Sequence, residues 1–338
     1  MKDIILLTKG ELTKYFKLKI VLAGIVALIG IMTALSFSEY KDIKLYEEYT
    51  ITNPEERTWQ EREEELIEHA MVALEDPWFD EIEREQIIRR IEVAKYNLEY
   101  NIPRNVEKNM WWFFNDDTFE WMIRFIIVLT VFAGCINIGD EYSKNTLNQM
   151  LILPYKRSKI LLSKYIAMLG FGLMLFSILF VLGIISGIVI HGVQGMTSLV
   201  VLNYSSQITT MSMTAYSLII ILLKLVELIF FISLTGTIAV LLRSGTVASV
   251  VGVLLTTVGV PLSLFFRSYY PIFNYLPLNN LDFRRYLDFG TIMPSVNSEF
   301  ESIVVQGITP MISAFIVLGS IVVFIFISFK VFEKRDVA

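Results

Sequence analysis

Six apolar stretches, near residues 20–37, 119–138, 166–190, 216–241, 246–266 and 310–329, dictate what this chain can become. Each is long enough as a helix to cross about 30 Å of hydrocarbon. Inside lipid a backbone must satisfy its own hydrogen bonds, so runs of this length fold as helices. Composition agrees, with 54% hydrophobic and only 19% charged residues. The expected fold class is therefore an all-α integral membrane protein with six transmembrane helices.

An even number of spans puts both termini on one side, and basic residues identify that side. Lys2, Lys9, Lys14, Lys17 and Lys19 precede the first span, and Lys330, Lys334 and Arg335 follow the last. The 139–165 loop carries Lys144, Lys156, Arg157, Lys159 and Lys164, whereas the 191–215 loop carries no charge. Both termini are expected in the cytoplasm. Residues 39–118 hold 22 Asp+Glu against 10 Lys+Arg, a net of −12, so the rest of the chain is +7 to reach the total of −5. Long loops translocate largely regardless of charge. The expected organisation is an interfacial helix with the first span at 1–38, an extracellular helical hairpin domain at 39–118, and five further spans at 119–338.

Within 1–18, Ile4, Ile5, Leu7, Leu12, Tyr15 and Phe16 interleave with charges, which suits an amphipathic helix in the membrane interface or an ordinary basic flank. Asn53-Pro54-Glu55-Glu56 and Asp76-Pro77 are helix-start signals that predict helices near 54–74 and 77–100. The acid run Glu61–Glu65 reads as a solvated helix face, because nothing there spells a converging cation loop. Met110-Trp111-Trp112-Phe113-Phe114, just before the second span, reads as an interfacial aromatic belt. Glu120 and Arg124 read as snorkelling residues. Lys224 and Glu227 lie inside the fourth span, three residues apart on one face. They can form a neutralising pair, or line a translocation path or subunit contact.

Catalytic motifs are missing. His69 and His191 are the only histidines, so no His-x-x-x-His metal helix can form, and no metal site is expected. There is no phosphate-binding Gly-x-x-x-x-Gly-Lys-Ser/Thr loop and no Gly-x-Ser-x-Gly elbow. Gly170-Phe171-Gly172 sits inside an apolar span and reads as helix packing. Cys135 is the single cysteine, which excludes an internal disulfide. A chain of this kind is expected to be no enzyme, to bind no cofactor of its own and no nucleic acid.

The loop after the second span, Asp140 to Lys164, is patterned. Leu147, Met150 and Leu151 suit one face of a short amphipathic helix at about 143–154, which Pro154 stops. The stretch resembles the corresponding loop of type-2 ATP-binding-cassette (ABC) exporter permeases. Glu141 ends the span, followed by Thr146-Leu147, Met150-Leu151, Pro154, Arg157 and Ile160-Leu161-Leu162-Ser163-Lys164. Asn145 departs from the glycine usual in that family. The resemblance extends in outline over the whole chain, and a long insert after the first span occurs in only some members.

It implies a permease subunit that docks a coupling helix onto a separate ATPase. Glu141, Thr146, Leu147, Met150, Leu151, Pro154 and Arg157 would form or brace that surface. ATP and Mg²⁺ would be bound by two ATPase copies, and a second permease subunit, identical or homologous, would complete the path. The expected setting is a bacterial plasma membrane, and the expected cargo an amphipathic peptide, lipid or hydrophobic toxin. The alternative is a membrane-anchored sensor or immunity protein that binds an external peptide without transport.

Overall fold

The computed structural model describes residues 2–52, 58–78, 81–103, 109–143, 155–193, 196, 198–204, 207–287 and 308–334. Among them, six helices are long and apolar enough to cross a membrane: Lys19–Leu45, Thr118–Glu141, Arg157–His191, Met213–Leu242, Gly245–Arg267 and Pro310–Lys334. This is the architecture of a mainly helical, multi-pass membrane protein.

The chain opens with helix α1 (Lys2–Lys17), breaks at Leu18, and continues as α2 (Lys19–Thr52), which holds the first span. Two helices follow, α3 (Trp59–Leu74) and α4 (Glu81–Glu99), packed on one another. Asn53 to Glu56 lie outside the described residues. The described start of α3 is set by a capping box, in which Thr58 Oγ1 accepts from the Glu61 amide at 3.3 Å and Glu61 Oε2 accepts from the Thr58 amide at 2.7 Å. Pro77 and Trp78 form a turn rather than the first turn of α4. The Asp76 carboxylate accepts from the Trp78 amide at 3.0 Å, which fixes that turn.

A short helix α5 (Trp112–Asn115) leads into α6 (Asp117–Ser143), the second span, and α7 (Arg157–His191) is the third. A two-stranded antiparallel hairpin, β1 (Leu199–Tyr204) and β2 (Gln207–Ser212), joins α7 to α8 (Met213–Leu242). Among the described residues this hairpin is the one β-sheet, and α4 rests against β1. The fifth span is α9 (Gly245–Leu254), a π turn at Leu255–Gly259, and α10 (Val260–Tyr269). Pro261 explains the π turn. Its ring has no N–H to give and in a regular α-helix would collide with the carbonyl of Thr257, so the helix widens by one residue just before it. The last span is α11 (Pro310–Lys334).

Close helix contact depends on glycine at defined points. A Cβ on Gly139 would lie 2.3 Å from the Gly245 amide nitrogen, so α6 and α9 cross where neither has a side chain. On α7, Gly183 and Gly187 form a small-x-x-x-small face against which the segment before α6 packs. A Cβ on Gly183 would lie 2.7 Å from Phe113, and one on Gly187 2.2 Å from the Met110 carbonyl oxygen. Met110, Trp111, Phe113 and Phe114 are therefore buried, and Phe114 meets Phe113, Phe119 and Phe180 ring to ring. This corrects the interfacial-belt expectation for these aromatics. The α7 glycines create a slot, and the rings fill it.

Gly187→Leu places a side chain into backbone. It should lower the thermal midpoint of the detergent-purified chain sharply or prevent its accumulation. Gly10→Leu, at a position with open space around it, should leave the midpoint within a few degrees of wild type.

Candidate functional site

The end of the molecule that carries α1 also carries the last turn of α6 and the first turns of α7, and four charges join them. The stripe that α1 buries is polar: Thr8, Glu11 and Tyr15 face inward, whereas Ile5, Leu6 and Phe16 face out. Glu11 Oε1 accepts from Lys14 Nζ at 2.9 Å and stands 3.2 Å from Lys164 Nζ. Lys14 Nζ donates to Glu141 Oε1 at 2.5 Å, and Lys164 Nζ lies 2.6 Å from Glu141 Oε2. The result is a closed ring of two carboxylates and two ammonium groups, with charges −2 and +2 that sum to zero. Asn137 Nδ2 donates to the remaining Glu11 oxygen at 3.0 Å. Lys164 is only 1% exposed, so the pairing is what permits its charge there.

Electrostatics follow the geometry. Burial alone would raise the Glu11 pKa, but Lys164 and then Lys14 more than offset it and hold the carboxyl below its ordinary range. For Lys14, burial would lower the pKa, but Glu141 and then Glu11 outweigh it and hold the ammonium above its ordinary range. Neighbouring contacts extend the seam. Lys159 donates to Asp3 at 3.0 Å, and the Tyr15 ring stacks on Phe171 with centroids 4.9 Å apart. α1 therefore runs alongside the first four turns of α7.

Of the proposed coupling residues, Glu141 is buried in the ring and Arg157 opens α7. Thr146, Leu147, Met150, Leu151 and Pro154 lie outside the described residues. The ring thus grips both sides of the loop in which they fall: Glu141 is on the helix that enters it and Lys164 on the helix that leaves it. Sequence reading flagged Glu141 but missed Lys14 and Lys164 as its partners, and Glu11 with Asn137 as the groups that complete the ring. A signal existed, since Thr8, Glu11 and Tyr15 share a helix face with the polar group at its centre.

At the other end, Lys224 and Glu227 do share a face, 3.6 Å apart. The nearest partner of Lys224 is Glu120 of α6, to which its ammonium donates. Asp282 Oδ1 stands 3.6 Å away, and Arg124 Nη2 lies 3.8 Å from Glu120 Oε2. Glu120 is buried, so the snorkelling expectation fails for it. An apolar span can bury a carboxylate only beside a cation, and Lys224 provides one. The cluster ties α6 and α8 to the segment after α10.

That segment turns in short 3-10 helices, Pro271–Tyr275, Pro277–Asn280 and Arg284–Tyr286. Its carbonyls are covered by side chains. Asn279 Nδ2 donates to the Ser263 and Phe273 carbonyls at 3.1 and 2.8 Å, and Asn280 Nδ2 to those of Asn274 and Leu276 at 2.7 and 2.8 Å. Ser313 of α11 donates to Asn280 Oδ1 at 2.6 Å. The two asparagines supply the cover that non-helical backbone needs among apolar spans.

Among the described residues no group of three or more His, Cys, Asp or Glu is arranged to hold a metal ion. A family model described as "Protein of unknown function (DUF2705)" matches residues 82–338. The chain belongs to this family. The DUF2705 match takes in α5 through α11, with Glu141, Lys164 and the Lys224 cluster. The chain is also similar to a Bacillus subtilis (strain 168) protein described as uncharacterized protein YhcI, at 23% identity over 250 residues, covering 73% of this chain and 75% of that protein.

Removing one member of a buried charge network strands the others. Lys164→Met should cost about 3–5 kcal/mol, read from the midpoint of thermal or denaturant unfolding of the purified chain. The lowered Glu11 pKa means its contribution is present above the ordinary carboxylate pKa of about 4.3 and is lost as pH falls through the depressed value. Lys14, raised, contributes fully below about 10.4 and loses its share as pH climbs through the elevated value. Wild type should therefore hold a stability plateau between these limits and lose midpoint on acidification. Glu11→Gln should start lower and lose less over the same acid range.

Proposed function

We propose that this chain is the membrane permease subunit of an ATP-dependent ABC exporter, working as a pair of permease subunits with two copies of a separate ATPase. The observation that carries this reading is the buried ring of Glu11, Lys14, Glu141 and Lys164. A soluble motor can bias a membrane domain only through a stiff element that both of them touch. The ring fixes α6 and α7 to one another and to α1 on either side of the 144–156 loop. The loop that resembles a coupling helix is thereby anchored at both ends within about two turns of its limits.

In this reading the ring lies on the cytoplasmic side of a plasma membrane, where the basic flanks place it, and the α3–α4 pair and the β-hairpin lie outside. Leu147, Met150 and Leu151 meet the ATPase, and Arg157 and Pro154 set the loop's exit into α7. ATP and Mg²⁺ are bound by the ATPase, and this chain contributes no catalytic group. The cargo is amphipathic, in keeping with a membrane part whose interior charges are neutralised in pairs. Lys224, with Glu120, Glu227 and Asp282, acts as a structural knot that any path must skirt.

Co-purification with candidate ATPases from the source organism tests the proposal. Wild type should retain an ATPase, and Leu147→Asp/Leu151→Asp should lose it while keeping its thermal midpoint. No association, or equal retention by the charged variant, would remove the exporter mechanism.

A further inference from the structure

Outside the candidate coupling region, α3 carries a second surface with a defined chemistry. From Trp59 to Trp78 the chain has seven acidic residues, Glu61, Glu63, Glu64, Glu65, Glu68, Glu75 and Asp76, and one basic residue, Arg62. Glu64, Glu68, Met71, Val72 and Glu75 recur at helical spacing along one exposed face. The side chains of Glu64, Glu68 and Glu75 make no ion pair or hydrogen bond with any described residue. Among the described residues they are thus without a partner, unlike Glu61, which is spent on the α3 cap, and Glu63 and Glu65, which are engaged.

Amid these acids lies apolar surface that the fold does not use. Val72 is 65% exposed, Met71 is 47% exposed, and Trp78 in the following turn is 90% exposed. Exposed tryptophan is costly to leave in water and is a common anchor where a partner docks. Its backbone is held, since Asp76 fixes the turn and Arg84 donates to the Leu74 and Asp76 carbonyls at 2.8 and 2.7 Å. The indole is therefore presented on a fixed mount rather than on a slack loop.

We propose that this face of α3, with Trp78, is a docking site for a cationic amphipathic peptide. Charge complementarity selects the occupant. Unpaired carboxylates flanking an apolar strip match a helix whose Leu-type residues meet Met71, Val72 and Trp78 while its lysines reach Glu64, Glu68 and Glu75. An anionic lipid surface is repelled by the same charges, as is a second copy brought face to face. The net −12 of residues 39–118 steers cations toward the site from beyond contact range. The proposal rests on the exporter reading only in placing this face outside the cell and in treating the peptide as cargo or signal.

The test uses the full chain, without any ATPase, in nanodiscs of zwitterionic phosphatidylcholine. The probe is a fluorescent helical Leu/Lys peptide, and its sibling with every Lys replaced by Gln is the control. Wild type should bind the Lys peptide with an affinity that falls steeply with salt. Glu64→Gln/Glu68→Gln/Glu75→Gln and, separately, Trp78→Ala should each weaken it about tenfold at unchanged thermal midpoint. Unchanged affinity in both variants would overturn the site, and equal binding of the Gln peptide would overturn its charge selectivity. A wild-type dimer that Trp78→Ala converts to a monomer would assign the face to a second copy instead. Peptide binding is read without an ATPase and ATPase retention without the peptide, so either reading can fail alone.

Discussion

The structure depends on how charges are carried where water is excluded. At one end of the helix bundle, Lys164 is fully buried and survives as a cation because Glu11 and Glu141 close around it. Each carboxylate in turn answers to both lysines. A pair of this kind adds little over an apolar contact of the same shape, but removal of one partner leaves an uncompensated charge. The ring therefore acts less as a source of stability than as a constraint. α1, α6 and α7 either meet in this arrangement or expose several charges at once.

The far end follows the same rule with different partners. Lys224 gathers Glu120, Glu227 and Asp282, and so ties two spans to a segment that is not regular helix. Asn279 and Asn280 then satisfy that segment's carbonyls from within. Small residues bring the spans close beside each knot, with Gly139 facing Gly245 two residues before Glu141, and the aromatic wedge of Met110 to Phe114, just before Glu120, seated on Gly183 and Gly187. Polar groups set register at the ends, and glycines set the distance between helices beside them.

The six spans were legible in the sequence because length and apolarity are local properties, and each observed helix contains the stretch expected for it. Lys224 and Glu227 were legible as an oddity, since charges inside an apolar run stand out. Their partner Glu120 was not, because a carboxylate near a span's end has a cheaper explanation in snorkelling, and only the packing of α6 on α8 removes it. The same holds for Met110 to Phe114. Aromatics beside a span suit the interface until the glycines of α7, about seventy residues further along the chain, open a slot for them. Glu11 and Lys164 look like ordinary helix-surface charges one at a time, and their meaning is a tertiary contact. The helix expected at about 143–154, with most of the coupling residues, lies outside the described residues.

Hydrogen–deuterium exchange on the full chain in nanodiscs tests the central claim most directly, by comparing wild type with Lys164→Met. If the ring holds α1 against α6 and α7, the amides of residues 8–17 and of the last turn of α6 should lose protection together in the variant. Those around Lys224 should exchange as in wild type. Unchanged protection along α1 would mean that the helix docks by other contacts, and the ring would lose its place as the clamp on this loop.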